Sequence, residues 1–383
     1  MNPLLALCQK LIQCPSVTPT EGGALKVLQE VLEPLGFTCH LKVFSPKGDA
    51  PVSNLYAVRG SGPFNFCFAG HTDVVPPGDW EAWHTDPFKG EIKDGILYGR
   101  GAVDMKGAIG AYVSALTQEL PLFPAGWEDH LRLSLLLTGD EEGPAVYGTA
   151  AMLPWLKEQG EDLSFCLIGE PTSGKVVGDT LKRGRRGSFH ASVVSRGRQG
   201  HTAYPHLAQN PIPPLVAFLQ RVATHPLDEG TDLFPPSSLQ ITTVDVGNGV
   251  TNIIPAEARA HINIRYNPLH TEASLREWLE KEGQEQGIQV SCHSSGEAFL
   301  SRPHPLQEEI GEAVTRVCGV APQVSTEGGT SDGRFISQVC PVLELGLLNK
   351  TAHQINEHVS EEDLRRLTEI YASILRSVVQ GAL

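Results

Sequence analysis

Apolar positions recur along this chain in two rhythms. In residues 22–36 (GGALKVLQEVLEPLG), Leu25, Leu28, Val31 and Leu32 fall on one helical stripe, and Pro34 and Gly36 end it. β-rich runs follow at 53–59 and 64–69, then a helical pattern at 106–120. The continuous apolar run 131–138 (LRLSLLLT) reads as a buried strand, followed by a helix at 148–159 and an apolar strand at 165–169. Strands alternating with helices predict a layered α/β domain around a mainly parallel sheet.

The rhythm changes near residue 175. Residues 186–195 (RGSFHASVVS) alternate as a strand does, a helix follows at 211–224 and a strand at 238–246. In 258–265, Ala258, Ala260, Ile262 and Ile264 face one way and Arg259, His261, Asn263 and Arg265 the other, as in a half-exposed antiparallel sheet. A charged helix spans 271–287, after which the chain returns to helix (304–318), strands (322–326, 341–346) and a final amphipathic helix (360–379). The simplest organisation is one α/β domain made of 1–179 and 295–383, interrupted by an inserted α+β domain at 180–294. The length, 383 residues, fits two domains.

Composition narrows the partners. With 30 Lys+Arg against 44 Asp+Glu the net charge is −14, and no basic block stands out, which argues against nucleic acid. No apolar run approaches the roughly 18–20 residues of a membrane helix. The opening MNPLLALCQKLIQCP has neither a basic n-region nor a small-residue cleavage site and predicts a first helix. Eight scattered cysteines, none in a CxxC pair, predict buried thiols in a reducing cytoplasm.

The densest chemistry lies in loops that follow apolar strands. They read AGHTDVVPPGDW (69–80), GRGAVDMKG (99–107), TGDEEG (138–143) and IGEP (168–171), with NKTAHQINEH (349–358) as a fifth. In an open α/β sheet the carboxyl ends of strands form the ligand-binding edge. His71, Asp73, Asp104, Glu141, Glu142, Glu170 and His353 are therefore candidates to converge there. Carboxylates and imidazoles without cysteine suit Zn²⁺, Mn²⁺ or Co²⁺ more than Mg²⁺ or Ca²⁺. Two His and three carboxylates can hold a metal pair when one carboxylate bridges, the arrangement of many hydrolytic sites.

GHTDVVPPGDWEAWHTDPF, YGRGAVDMKG, TGDEEG and GEP, in that order, resemble the M20 family of di-zinc aminoacylase- and carboxypeptidase-type metallohydrolases. RGRRGSFH (183–190), GRQGHTAYPHLAQNPI (197–212), STEGGTSDGRFI (325–336) and NKTAHQINEHV (349–359) extend the likeness over the whole chain. They narrow it to members acting on small amides that carry several carboxylates. The resemblance implies a three-layer α/β catalytic domain with an inserted lid and dimerisation domain. It also implies two Zn²⁺ per subunit, with Co²⁺ able to substitute. One ion falls to His71 and Glu170, the other to Glu142 and His353, and Asp104 bridges both, followed by a cis peptide to Met105.

By the same resemblance Glu141 is the general base, Asp73 orients the His71 imidazole, and His201 stabilises the oxyanion from the partner subunit of a homodimer. Arg185 and Arg265 are the expected forks for substrate carboxylates. Ser188, Tyr204, Asn252, Gly329, Thr330 and Asn349 are further candidate contacts. Three other readings stay in view. Gly329-Thr330-Ser331-Asp332-Gly333 matches the GxSxG of serine hydrolases, but only 52 residues follow Ser331 to supply the Asp and His. A sibling deacylase, such as an N-acetylornithine deacetylase, or a dipeptidase would share the metal half. A non-catalytic metal-binding protein would have no use for Glu141 and His201.

Overall fold

A computed structural model describes residues 2–45 and 50–382. The chain divides into two compact units. One comprises Met1–Arg183, Ser301–Ser325 and Phe335–Leu383; the other comprises Gly184–Leu300 and Thr326–Arg334. The sequence pattern assigned all of 295–383 to the first domain, whereas 326–334 packs within the second unit. There Thr326 Oγ1 donates to the Leu233 carbonyl at 2.5 Å, and Arg185 Nη1 donates to the Gly329 carbonyl at 3.1 Å. This glycine-rich stretch has no hydrophobic period, so nothing in its pattern could place it.

In the first unit an eight-stranded sheet runs in the order Thr38–Phe44, Val52–Arg59, Leu131–Thr138, Phe64–His71, Phe165–Ile168, Val342–Glu344, Thr180–Lys182 and Gln323–Ser325. The four central strands are parallel. Antiparallel pairs flank them at Val52–Arg59 and Thr180–Lys182, and Gln323–Ser325 again pairs in parallel, so the sheet is mainly parallel as expected, with antiparallel additions. Strand Thr38–Phe44 escapes the periodicity test because it lies at the edge, with Leu41 and Val43 exposed.

Helices cover both faces of this sheet. On one, Phe68 stacks on Tyr112 of helix Lys106–Glu119 at 4.0 Å and meets Tyr371 of helix Glu361–Ala382 edge-on at 5.6 Å. Such pairs add about 0.5–1.5 kcal/mol each beyond their area. On the other, Tyr56 meets Trp155 of helix Thr149–Glu158 at 6.5 Å. The last helix starts sharply because the Ser360 hydroxyl accepts from the Asp363 amide at 3.0 Å, and Glu361, Glu362 and Asp363 favour the positive helix end.

A separate three-stranded sheet joins Glu91–Lys93, Ile96–Tyr98 and His358–Ser360. Its strands are too short to show a period. Their effect is to set the segment before Gly99 against the segment after Glu357, with His358 opposite Tyr98.

The second unit is a four-stranded antiparallel sheet in the order Ser238–Asp245, Glu257–Tyr266, Gly187–Arg196 and Ile288–Gly296. Phe189, Ala191, Val193, Ala258, Ala260, Ile262 and Ile264 turn to one face and bury against Phe218 and Leu219 of helix Ile212–Thr224 and Leu275 and Leu279 of helix Glu272–Gln286. The latter helix is bounded as its sequence requires. Thr271 and Ser274 form a capping box, and Gly287 ends it in the left-handed conformation. Among the described residues no helix is long and apolar enough to cross a membrane.

Candidate metal centre

Strand register brings the acidic loops together within the first unit. His71 is the last residue of its strand and lies opposite Thr138, the last residue of the neighbouring strand. On the other side Ile168 lies opposite Ala69. Two more residues along each chain bring Glu170 level with His71, while Glu141 and Glu142 follow Thr138 after Gly139 and Asp140. Asp104 comes from the loop before helix Lys106–Glu119, and the Asp104–Met105 peptide is cis. Met105 fills the floor of the site. A Cβ on Gly70 or on Gly169 would come within 2.5 or 2.6 Å of its methyl carbon, so a side chain at either position would displace the end of Met105.

The ligand-type side chains form two halves that share Asp104. His71 Nε2 lies 3.2 Å from Asp104 Oδ1 and 3.6 Å from Glu170 Oε1. His353 Nε2 lies 2.7 Å from Glu142 Oε1 and 3.2 Å from Asp104 Oδ2. Each oxygen of Asp104 thus faces a different histidine. His71, Glu141 and Glu170 also present ligand atoms within 4.8 Å of one another, as do His71, Asp104 and Glu142.

The donor set fits divalent cations. His71 Nδ1 sits 2.8 Å from the Asp73 carbonyl, which can only accept, so Nδ1 carries the proton and Nε2 turns its lone pair to the carboxylates. Acceptors facing one another at these distances need positive charge between them. The histidines show the same demand. Burial would lower the His71 pKa, but the hydrogen bond to Asp104 and the charges of Glu141, Asp104 and Asp73 carry it well above its usual value. Hydrogen bonds to Asp104 and Glu142 push His353 up to about 10, against its burial. Burial would raise Asp104, yet its contacts with His353 and His71 hold it well below the carboxylate range.

The structure gives Asp73 a different set of contacts from the expected one. Its carboxylate is 3.7 Å from His71 Nδ1, and the imidazole is instead met by its backbone carbonyl. The carboxylate accepts from the amides of Glu141 at 3.2 Å and Glu142 at 3.0 Å, and from Thr18 Oγ1 at 2.5 Å. It therefore anchors the loop that carries the candidate base. Burial raises its pKa, partly offset by His71 and these donors.

Sequence reasoning passed over several residues that hold these loops. Glu357 and Arg100 form a buried pair at 2.8 Å. Lys106, fully buried, donates to the Cys14 carbonyl at 2.7 Å, and burial pulls its pKa down to about 8. Asp140 accepts from the amides of Val146 and Tyr147, both at 2.9 Å. The available signal was charge type inside the motifs themselves. GRGAVDMKG carries Arg100 and Lys106, TGDEEG carries Asp140 and NEH carries Glu357, ionisable residues that a ligand count leaves unused.

The remaining candidates are placed less uniformly. Asn349 is exposed in the first unit, and its amide donates to the Ser173 carbonyl at 3.0 Å. In the second unit Ser188 lies opposite Arg265 across two strands. Arg185 is buried, and Thr330 Oγ1 accepts from Arg334 at 3.4 Å. His201 is exposed, accepts from the Ala203 amide on Nδ1 at 3.0 Å, and meets Tyr204 edge-on at 5.7 Å. The short pairing of Gly200–His201 with Ile253–Ile254 sets Asn252 beside them, its carbonyl accepting from Thr202 at 3.1 Å. Ser331 is fully buried and its hydroxyl accepts from the Gly333 amide, so it is not displayed as a nucleophile.

Comparison with known proteins adds to this geometry. Residues 67–377 match the family described as peptidase family M20/M25/M40. The chain is 50% identical to a succinyl-diaminopimelate desuccinylase of Parvibaculum lavamentivorans, over 98% of this chain and 96% of that one. It is likewise 50% identical to the protein of that name from Rhodospirillum centenum, over 99% and 98% of the two chains. Its fold is similar to that of an M20 family metallo-carboxypeptidase, Sso-CP2, from Sulfolobus solfataricus. The TM-score is 0.78 at 18% identity, covering 99% of this chain and 100% of the other.

Proposed function

The chain belongs to peptidase family M20/M25/M40, and on that footing we propose that it hydrolyses N-succinyl-L,L-2,6-diaminopimelate to succinate and L,L-2,6-diaminopimelate. The observation that carries this reading is the end-to-end identity to succinyl-diaminopimelate desuccinylases in a chain that assembles a bridged His and carboxylate cluster. Such a reaction belongs to the supply of lysine and cell-wall precursors. The eight cysteines, all free, suit a cytoplasmic setting.

Two cations, Zn²⁺ with Co²⁺ as a substitute, would be held by His71 and Glu170 on one side and Glu142 and His353 on the other, with Asp104 shared. When bound, such a pair polarises the amide carbonyl and makes water acidic enough to act as a nucleophile near neutral pH. Glu141 takes the proton from the attacking water and delivers it to the leaving nitrogen. Its backbone amide is held by Asp73, which fixes where that carboxylate can reach. Asp73 also holds the His71 ring through its carbonyl.

In this reading Arg185 and Arg265 take substrate carboxylates, aided by Ser188, Tyr204, Asn252, Gly329, Thr330 and Asn349. His201 donates to the carbonyl oxygen as it becomes an oxyanion. We assign that His201 to the active site of the partner in a homodimer. The outer edge of strand Ser238–Asp245 supports the assembly, because Val244 is exposed there and an unpaired edge is a template for two-fold strand pairing.

Turnover of N-succinyl-L,L-diaminopimelate against N-acetylornithine, each with added Zn²⁺, tests the substrate. The succinylated substrate should be strongly preferred. Preference for N-acetylornithine, or for a dipeptide, would move the chain to a sibling activity on the same metal centre.

A further inference from the structure

We infer that Glu357, clamped by Arg100, is a positioning residue that sets the aim of Asp104 and His353. The inference rests on the proposed metal site and goes beyond its ligands. The Glu357 side chain is entirely buried and Arg100 nearly so. One carboxylate oxygen accepts from the amides of Val103 at 2.8 Å and Asp104 at 3.1 Å. The other accepts from the amide of Gly101 at 3.0 Å and from Arg100 Nη1 at 2.8 Å. The Glu357 carbonyl also accepts from the Gly99 amide at 2.9 Å. A single residue therefore fixes four amides of the segment that ends at the shared ligand.

Arg100 extends the hold to two more loops. Its Nη1 donates to the Gln354 carbonyl at 3.1 Å, one residue past His353. Its Nη2 reaches the Pro76 carbonyl at 3.4 Å, in the loop after His71, and its guanidinium lies 5.3 Å from the centre of the Trp83 ring. The pair thus joins the three loops that carry His71, Asp104 and His353, at the point where the small sheet brings Tyr98 and His358 together. Burying an ion pair gains little stability over packing apolar residues in the same space. A carboxylate wrapped by loop amides does determine backbone direction, and with it where the Asp104 carboxylate points.

Cobalt titration of the full chain, followed by calorimetry and visible absorption, separates positioning from folding. Glu357→Gln keeps the volume but sets an amide –NH₂ against backbone N–H donors. Arg100→Lys keeps the charge but loses the fork. Each variant should bind Co²⁺ about 10–100-fold more weakly than the wild type, the usual consequence of disturbing groups that orient ligands. The visible band of the bound ion should shift as well. Glu119, paired with Arg376 elsewhere in the first unit, supplies the control. Glu119→Gln should lower the Tm of the metal-free protein and leave cobalt affinity unchanged. Wild-type cobalt affinity in either folded variant would overturn the inference, as would an equal loss in Glu119→Gln. If the wild type itself takes up no Co²⁺, the metal site fails instead, and the two outcomes cannot be confused.

Discussion

The two units carry their candidate chemistry on different terms. In the first, His71, Glu170 and the loop of Glu141 and Glu142 leave adjacent parallel strands whose register is set by a buried core, and Asp104 is held by its own amide. His71 is 1% exposed and Glu170 8%. In the second, His201 and Tyr204 stand in solvent on a two-residue pairing, while Arg185 is buried against a glycine-rich loop and Arg265 rides a sheet face. A cluster of like charges forms only where rigid elements enforce it, so the first unit is organised ahead of any substrate. The second unit mixes the two conditions, with Arg185 buried and His201 and Tyr204 exposed, so its candidates share no single enforced geometry.

That contrast yields graded expectations. The largest effect should come from the pre-organised unit. Glu141→Ala should lower kcat by about 10²–10⁴, the span usual for general acid–base groups, with metal content and KM little changed. Steady-state kinetics beside elemental analysis reads both. A variant that retains turnover would remove Glu141 from proton transfer, and one that loses metal would make it a ligand.

A smaller effect should come from the second unit. His201→Ala should cost about 10²–10³ in kcat with little change in Tm, since an exposed imidazole contributes little to packing. Mixed and re-associated with Glu141→Ala chains, it should regain up to one working site per dimer. Heterodimers that stay inactive would place His201 in its own chain's site and end the shared-site proposal.

How much of this was legible beforehand follows the same division. The apolar runs 64–69, 131–138 and 165–169 announce themselves, and His71, Glu141, Glu142 and Glu170 come within four residues of them, so those candidates could be named from residue order, whereas Asp104 follows a short strand of the separate small sheet and His353 lies nine residues beyond Glu344. The change of character near residue 175 was equally visible, because continuous apolar strands such as 131–138 give way to strands that alternate apolar and polar residues, as in 258–265. The supporting shell was not. Glu357 follows Asn356 in what reads as a polar loop, and its burial depends on a small sheet whose strands have no period. The backbone carbonyl of Asp73 meets His71 and its carboxylate meets the next loop, a choice made by chain path and not by residue type. Residues 326–334 join the second unit through carbonyl contacts that no side-chain pattern encodes.

The central claim is that five side chains of one unit hold two cations through a shared carboxylate. Metal content of the zinc-loaded, desalted protein tests it most directly, measured beside an Asp104→Ala variant whose folding is checked by circular dichroism. The account predicts two ions per wild-type chain and at most one in the variant. One ion or none in the wild type, or two retained without Asp104, would contradict it.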